Sequence, residues 1–466
     1  MSSTTATAIQ QLGGIVGGDH VFTDPARVAD YAVDGTPPAA AVRPANAAEV
    51  AEVVRLAAAE KLALVSTGAR TKLGMGMPPA RYDLALDLTR MNRVVAYDPG
   101  DLTLGVEAGM PLGELALVLA EHKQWLPLAV PFTTRTTVGG TISSGIDSPL
   151  RQFYGTARDY VLGVGFITGE GKPAKSGGRV VKNVAGYDLH KLMIGSLGTL
   201  GVITSVNFRT FPLPPASRGF LASFRDSTGA LELRHRIARS DLKPLTLEIL
   251  TPGLAQIFAE RTPKMLGEDL AAPGPWFSTK EWTLAAGFGG NEELLARYER
   301  DLTRMAAEAG ATSSVVLDDS TRPIIWGRLR ECIPLMLESS PLATIFKIGA
   351  LPSQLGRILG TLQQTLERHG LPFVALTRGV GVIYLALLPS GSGGVEIERL
   401  ADVCAQVFDC ALSLGEHAVI SWCPAALKRR VSVWGPPRGD AELMRRVKQV
   451  FDPHGILSPG RFYGDI

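Results

Sequence analysis

Residues 136–163 read TTVGGTISSGIDSPLRQFYGTARDYVLG, a segment that opens with small side chains. Glycine lets backbone approach a ligand closely, so the stretch 137–145 could lie flat against a planar ring. Two more small-residue segments, 66–72 and 195–203, stand beside apolar stretches that read as strands. One such cluster is typical of an ordinary turn, whereas three of them indicate a shared binding site.

The segment 66–72, STGARTK, directly follows a short apolar strand. A turn rich in small residues can aim successive backbone N–H groups at one anion, and a pyrophosphate is the natural occupant. The segment matches neither the Walker A pattern nor G-x-G-x-x-G, so a plain strand-to-turn connection also explains it. Residues 151–191 hold seven basic and three acidic side chains, which favours a diphosphate nearby.

Bulk properties restrict the class of protein. A chain of 466 residues with 45% hydrophobic and 20% charged residues predicts two globular domains. A net charge of +2 argues against a nucleic-acid partner. The start MSSTTATAIQQLGG lacks signal-peptide features, and no apolar run reaches the ~18 residues of a membrane span. We expect a cytoplasmic protein without a transmembrane segment, in which four cysteines without a C-x-x-C pair are small buried residues.

The strand and helix patterns predict an α+β chain. The first half mixes short strands and helices without regular βαβ alternation, and the proline-rich stretch 211–215 marks a domain boundary. Beyond it, strand and helix patterns alternate, which suits an antiparallel sheet covered by helices on one face. Helices are predicted there over 292–309, 323–338, 354–368 and 395–414, and strands over 219–224, 245–250, 343–351, 380–388 and 418–422.

The blocks 136–163, 182–204 and 433–466 carry a family resemblance. They resemble the PCMH-type FAD-binding fold of the vanillyl-alcohol oxidases, and within it the E subunits of bacterial glycolate dehydrogenases. The resemblance implies a two-lobed FAD-binding domain over 1–215. It also implies an α+β cap domain with a ferredoxin-like antiparallel sheet over 216–425, and a C-terminal segment, 426–466, that returns to the FAD domain.

The resemblance also assigns cofactor residues. The pyrophosphate would be wrapped by Thr67, Gly68, Ala69, Arg70, Thr71 and Lys72. The isoalloxazine and ribityl chain would lie beside Val138, Gly139, Gly140, Ser143, Ser144 and Gly145, with Gly155 next to them. The adenosine end would meet Gly201, Val202 and Ile203. Thr71 stands where some relatives tether FAD to a histidine, so non-covalent FAD is expected.

Two positions depart from the family pattern. Arg70 replaces a usual glycine, and Ser458 replaces a usual asparagine. A side chain at position 70 is costly if that residue needs a positive φ. Alternatively, the guanidinium adds a charge-assisted contact to phosphate.

The substrate site is less clearly encoded. In the D-lactate and D-2-hydroxyglutarate branch of the family, an arginine and a lysine of the cap bind the substrate carboxylate, and Arg330 and Lys347 resemble them. Solvated surface charges are the alternative explanation for both. That branch also binds a metal through two histidines and a glutamate, but residues 377–384 contain no histidine, and Glu416 with His417 would supply only two ligands. No metal site is predicted.

The resemblance implies an FAD-dependent oxidoreductase, the flavoprotein subunit of a glycolate (2-hydroxy-acid) dehydrogenase complex that passes electrons to a partner acceptor. Its implied partners are a catalytic flavoprotein subunit and an iron-sulfur subunit, which could hold it peripherally at the inner membrane. One alternative is a self-sufficient FAD-linked D-2-hydroxy-acid dehydrogenase or oxidase. A structural subunit with a vestigial flavin site is another.

Overall fold

The computed structural model describes residues 3–179, 186–261, 276–391 and 393–466, with side chains from residue 8 onward. Its strands, in chain order, are β1 Val21–Phe22, β2 Ala40–Val42, β3 Leu64–Thr67, β4 Leu84–Asp87, β5 Val94–Asp98, β6 Thr103–Glu107, β7 Gln124–Trp125, β8 Val161–Ile167, β9 Pro173–Gly177, β10 Val202–Arg209, β11 Phe211–Pro212, β12 Ala216–Phe224, β13 Thr246–Leu250, β14 Trp282–Gly290, β15 Ser313–Leu317, β16 Thr344–Gly349, β17 Phe373–Arg378, β18 Val382–Leu387 and β19 His417–Trp422.

The α-helices, in chain order, are α1 Ser3–Val16, α2 Pro25–Ala29, α3 Ala47–Ala59, α4 Leu112–Ala120, α5 Val138–Ser144, α6 Arg151–Tyr154, α7 Ala157–Tyr160, α8 His190–Met193, α9 Ser227–Ala238, α10 Pro252–Glu260, α11 Glu292–Glu308, α12 Thr321–Arg330, α13 Cys332–Leu337, α14 Leu355–Arg368, α15 Gly394–Ser413, α16 Ala425–Lys428 and α17 Ala441–Phe451. Short 3-10 turns lie at Gly18–His20 and Tyr463–Asp465.

The N-terminal half builds two sheets. The first has the order β1-β2-β4-β3, in which β2, β4 and β3 run parallel and β1 is antiparallel. The second, β5-β6-β10-β8-β9, is antiparallel throughout. The C-terminal segment joins the first sheet, because Leu64 donates to the Ile456 carbonyl and Ser458 donates to the Leu64 carbonyl, both at 2.8 Å.

One eight-stranded sheet, β15-β12-β14-β13-β17-β18-β16-β19, occupies residues 216–422, and every pairing in it is antiparallel. It confirms the predicted α+β class with an antiparallel sheet. The apolar residues of one face pack with α9, α11, α14 and α15, and those of the other face join the core of the N-terminal sheets and of α10, α12 and α13. Helices therefore contact both faces of the sheet, rather than the single face that we expected.

Helix α3 shows how local sequence sets a boundary. The Asn46 side chain accepts the Glu49 N–H at 3.0 Å, and the Glu49 carboxylate accepts from the Ala45 N–H and the Asn46 amide. These bonds satisfy N–H groups that the first turn of a helix leaves free. The strand β3 follows α3 and pairs in parallel with β4, and its end carries the loop 68–72.

The predicted helix 323–338 is wrong, because the structure has two helices that meet at Glu331. Pro334 lies four residues after Arg330, and a proline ring clashes with the carbonyl of the residue four positions earlier. The pattern also missed β14, whose sequence WTLAAGFGG is poor in the residues that favour strands. None of the helices in the described ranges is long and apolar enough to cross a membrane.

Candidate functional site

A narrow cleft opens at the carboxyl end of β3, between the loop 68–72 and α5. It is lined by Ser66, Thr67, Gly68, Leu88, Ala108, Thr137, Gly139, Gly140, Ser143, Gly201 and Ile203. All three small-residue segments contribute to it. The structure therefore brings together the predicted cofactor residues Thr67, Gly68, Gly139, Gly140, Ser143, Gly201 and Ile203.

Glycine is required where α5 forms the wall of this cleft. The Gly139 N–H donates to the Ala108 carbonyl at 2.7 Å, and a Cβ on Gly139 would lie only 2.7 Å from the Ala108 Cβ. A Cβ on Gly68 would collide with the Thr137 side chain across the cleft. Any larger side chain at positions 68 and 139 would close the space.

Free polar groups surround the cleft. The buried Thr67 hydroxyl has no hydrogen-bond partner among the described residues. Within the same ranges, the backbone N–H groups of residues 68–72 donate to no other protein group. Buried or clustered donors of this kind are satisfied by a ligand that offers several acceptor oxygens. The donor set fits a diphosphate, and so fits FAD.

Lys72 lies buried behind the loop. Its ammonium donates to the Thr136 hydroxyl and, at 3.2 Å, to the Thr71 hydroxyl. Burial lowers the pKa of Lys72 to about 7, although the Glu331 carboxylate opposes this shift. Thr71 and Lys72 do not line the cleft itself. The Lys72 ammonium would stabilise a bound diphosphate from behind the loop.

Ala69 and Arg70 face a different cavity, of about 510 Å³, on the outer side of the loop. Arg70 has a φ of 62°, which is the left-handed conformation that glycine adopts most easily. Its guanidinium lies 3.5 Å from the Asp87 carboxylate and 4.7 Å from the centre of the Tyr31 ring. Both contacts point the charge away from the cleft.

Three other predicted residues occupy structural positions. Val138 and Val202 are fully buried in the apolar core, so only their backbone could face a ligand. Gly155 ends α6 with a φ of 77° beside the Asp159 carboxylate, which accepts the Thr156 N–H.

Ser144 and Gly145 line a second pocket, about 110 Å³ in volume, that the cap sheet closes. We call it the cap-facing pocket, and Lys347, Tyr384 and Trp422 form its cap side. Lys347 and Tyr384 are paired across β16 and β18, so their side chains share one face of the sheet. Burial lowers the pKa of Lys347, and this side chain lines the pocket together with the predicted flavin-contact residues Ser144 and Gly145.

A buried ion cluster, composed of Asp147, Glu248 and Arg378, lies on the same sheet face. Arg378 Nη1 donates to Glu248 Oε1 at 2.7 Å, and Arg378 Nε lies 3.1 Å from Asp147 Oδ2. Burial raises the pKa of Glu248 to about 7, although Arg378 opposes the shift. None of these three residues was predicted from the sequence as part of the site. An acidic residue in the apolar strand TLEIL was the available signal, because such a charge needs a buried partner.

Arg330 lies in a third and larger cavity. We call it the junction cavity, since residues of both halves of the chain line its volume of about 820 Å³. Arg330 Nε is 3.2 Å from the carboxylate of Glu331, which also accepts the Phe132 N–H at 2.7 Å. The two predicted substrate residues, Arg330 and Lys347, are therefore not in one cavity. They border opposite ends of the segment 145–150, which follows α5.

The residues considered as metal ligands have other structural roles. The Glu416 carboxylate accepts the Leu351 N–H at 2.9 Å, and His417 beside it is exposed. Thr377 and Tyr384, at the ends of the segment without histidine, are both buried. Across the residues that the structure describes, no group of three or more His, Cys, Asp or Glu side chains could hold a metal ion.

The block 182–204 holds other polar residues. Lys182 and Asn183, whose polar groups could reach a flavin, lie outside the described residues. Tyr187 is 90% exposed, and the His190 ring bonds to the Ser176 hydroxyl at 3.2 Å.

Comparison with known families identifies the cofactor chemistry. Residues 38–177 match the FAD binding domain family, and residues 213–415 and 435–462 match the C-terminal domain of FAD linked oxidases. The chain belongs to the FAD-linked oxidase family. Its cofactor is FAD, and the chain is an FAD-linked oxidoreductase of the glycolate oxidase and D-2-hydroxy-acid dehydrogenase family.

Individual relatives cover the chain to different extents. The glycolate oxidase subunit GlcD of Bacillus subtilis is 24% identical over 93% of this chain and 92% of its own length. The glycolate oxidase subunit GlcE of Escherichia coli is 38% identical over 197 residues, which are 42% of this chain and 55% of GlcE. The structure of p-cresol methylhydroxylase with substrate bound has a TM-score of 0.78 and 19% identity, covering 99% of this chain and 97% of the other. This likeness confirms the PCMH-type fold.

Proposed function

We propose that this chain is an FAD-dependent 2-hydroxy-acid dehydrogenase that oxidises its substrate on its own flavin and passes the electrons to a partner chain. One observation carries the proposal: a basic side chain of the cap lies beside each end of the segment 145–150, Lys347 at one end and Arg330 at the other. Positive charge beside a flavin-contact segment suits an anionic substrate.

Each residue has a distinct task in this proposal. Bound FAD would accept the two electrons of the substrate C–H bond. Thr67 and the N–H groups of residues 68–72 would hold the diphosphate, with Lys72 behind them. Arg330 would fix the substrate carboxylate, and Lys347 would lie near the ring, where a buried polar group acts strongly on developing charge.

A partner is part of the proposal because two relatives are named as subunits of glycolate oxidase. We propose that electrons leave toward a catalytic flavoprotein or an iron-sulfur subunit of such a complex, in the cytoplasm or at the inner surface of the membrane. The 38% identity to GlcE favours a second candidate function, in which this chain only relays electrons that another flavoprotein subunit takes from the acid.

The visible spectrum of the purified chain tests these functions. It is recorded before and after denaturation and filtration, and again after anaerobic addition of glycolate, D-lactate or larger 2-hydroxy acids. Flavin in the filtrate that substrate bleaches supports the proposed dehydrogenase. Flavin that no acid bleaches, but that is reduced once a partner subunit and acid are added, supports the relay function. Absence of flavin contradicts both.

The Lys347→Met variant sharpens the test, with Lys175→Met as its control because Lys175 is exposed. The proposed dehydrogenase should lose at least about ten-fold in the rate of flavin reduction when Lys347 is changed, since a buried charge acts strongly on a nearby ring. Both variants should retain FAD. An unchanged rate in Lys347→Met removes the assigned role.

A further inference from the structure

The junction cavity is much larger than a two-carbon acid needs. Its volume of about 820 Å³ is in the range of sites that hold whole drug-sized ligands. Trp125, Leu150, Leu245, Trp326 and Leu329 provide apolar walls. A small hydrophilic acid would leave most of this apolar surface in contact with water, whereas a bulky side chain would cover it.

Two residues of β13 that line this cavity carry buried polar atoms without a partner among the described residues. Thr246 and Glu248 are two residues apart on the strand, so their side chains share one face, and both line the cavity. Each is at least 95% buried. Thr246 Oγ1 and Glu248 Oε2 have no hydrogen-bond partner among the described residues. Buried polar atoms without partners are costly, so a ligand group that bonds to them is favoured.

Glu248 is held in place for such a contact. Arg378 Nη1 donates to its Oε1 at 2.7 Å, which restrains the carboxylate, while Oε2 has no partner among the described residues. A hydroxyl group suits this corner, because it can donate to a Glu248 oxygen while it accepts from the Thr246 hydroxyl.

Two of the cations that line the cavity differ in their availability. Arg218 is shared by three carboxylates, those of Glu292, Glu299 and Asp319. Arg330 contacts one carboxylate, that of its neighbour Glu331, through Nε alone. Its terminal nitrogens make no hydrogen bond within the part of the chain that the structure describes, so they can bind a carboxylate.

We infer that the junction cavity binds a 2-hydroxy acid with a bulky apolar or aromatic side chain, with the carboxylate at Arg330, the hydroxyl at Thr246 and Glu248, and the side chain against Trp326 and Leu329. This inference rests on the proposed function, because it requires that this chain itself binds the hydroxy acid. It specifies which class of hydroxy acid is bound. Glycolate would be a poor ligand of the same site.

Calorimetric titration of the FAD-loaded chain tests the size class. The probes are 3-phenyllactate, its deoxy analogue 3-phenylpropionate, and glycolate. We expect 3-phenyllactate to bind at least about ten-fold more tightly than glycolate, because it buries a phenyl ring. Comparable affinities of these two acids would overturn the inference.

Two variants then test the individual contacts. Thr246→Val keeps the shape of the side chain, and it should abolish the preference for 3-phenyllactate over 3-phenylpropionate, with exposed Thr303→Val as the control. Arg330→Met should weaken the binding of both 3-phenyllactate and 3-phenylpropionate at least about ten-fold, because both carry a carboxylate. Arg300→Met, on the exposed face of α11, should leave both affinities unchanged. A retained hydroxyl preference in Thr246→Val, or unchanged affinities in Arg330→Met, would each contradict the assigned contact.

The inference and the proposed function fail in different ways. Tight binding of 3-phenyllactate without any bleaching of the flavin supports the cavity assignment and contradicts the dehydrogenase. Bleaching by glycolate, with no preference for 3-phenyllactate in binding, supports the dehydrogenase and contradicts the cavity assignment.

Discussion

Arg378 and Asp147 form a buried ion pair between the cap sheet and the segment that follows α5, with Arg378 Nε 3.1 Å from Asp147 Oδ2. The same carboxylate lies 3.3 Å from Arg151, and Arg378 also binds Glu248. The pair thus joins β17 to the segment 145–150, whose two ends line the cap-facing pocket and the junction cavity.

We expect Asp147→Ala to destabilise the protein by about 3 kcal/mol, because removal of one partner leaves buried cations without full compensation. Urea unfolding followed by circular dichroism measures the change. The control is Glu170→Ala, which breaks an exposed pair with Lys172 and should cost less than about 1 kcal/mol. Equal effects of the two substitutions would show that the buried pair does not join the domains.

Glu248 should make stability fall as pH rises. Burial raises its folded-state pKa to about 7 from the ordinary 4.5. Between these two pH values the folded state binds the proton more tightly than the unfolded state, so the free energy of unfolding decreases with rising pH by up to about 3 kcal/mol. The contribution is complete below pH about 4.5 and is lost above pH about 7.

The measurement is the free energy of unfolding at pH 5 and pH 8 for the wild type and Glu248→Gln. Subtraction of the two proteins removes the titration of all other groups, and the wild type should lose more stability between these pH values. Glu52→Gln, on the surface of α3, serves as the control that keeps the wild-type pH dependence. Identical pH dependence in Glu248→Gln would show that the carboxylate stays ionised in the folded state.

The predicted cofactor residues lie closer together in the structure than the two predicted substrate residues do. Contacts of Gly68, Gly139 and Gly201 with the cleft depend on backbone and on short loops, which local sequence specifies. The ion cluster joins Asp147, Glu248 and Arg378 over up to 231 residues, and only the register of β13 with β17 brings the last two together. Arg330 and Lys347 line different cavities, and this separation likewise depends on how α12 packs across the sheet.

Arg70 provides a separate test of the loop. Because its φ is 62°, replacement by glycine removes the strain of a left-handed side chain, whereas alanine keeps it. Both substitutions lose the contacts with Asp87 and Tyr31. We therefore expect Arg70→Gly to be about 1 kcal/mol more stable than Arg70→Ala in urea unfolding. Equal stabilities would mean that residue 70 leaves the left-handed region in solution.

The same two variants decide whether the Arg70 guanidinium binds phosphate. The side chain points toward Asp87, so the FAD dissociation constant should change by less than about three-fold in both variants. Equilibrium dialysis against FAD gives the value. A ten-fold loss in both variants would instead support a charge-assisted contact with the diphosphate.

Lys72 should make FAD affinity depend on pH. Burial lowers its pKa to about 7 in the protein without ligand, so the side chain is largely neutral at pH 9. Lys72 lies behind the bound diphosphate, whose negative charge favours the ammonium form of the lysine. Binding of FAD above pH 7 is therefore accompanied by uptake of a proton. The FAD dissociation constant should therefore rise between pH 7 and pH 9, by up to about ten-fold per pH unit.

The experiment is FAD titration of the apoprotein at pH 6, 7, 8 and 9, followed by flavin fluorescence. Lys72→Met should bind FAD more weakly than the wild type at pH 6 and should lose this pH dependence, since methionine keeps the length of the chain without the charge. The exposed Lys175→Met variant should retain both the affinity and the slope. If Lys72→Met keeps the wild-type slope, another group takes up the proton, and Lys72 serves only to pack the loop through Thr136.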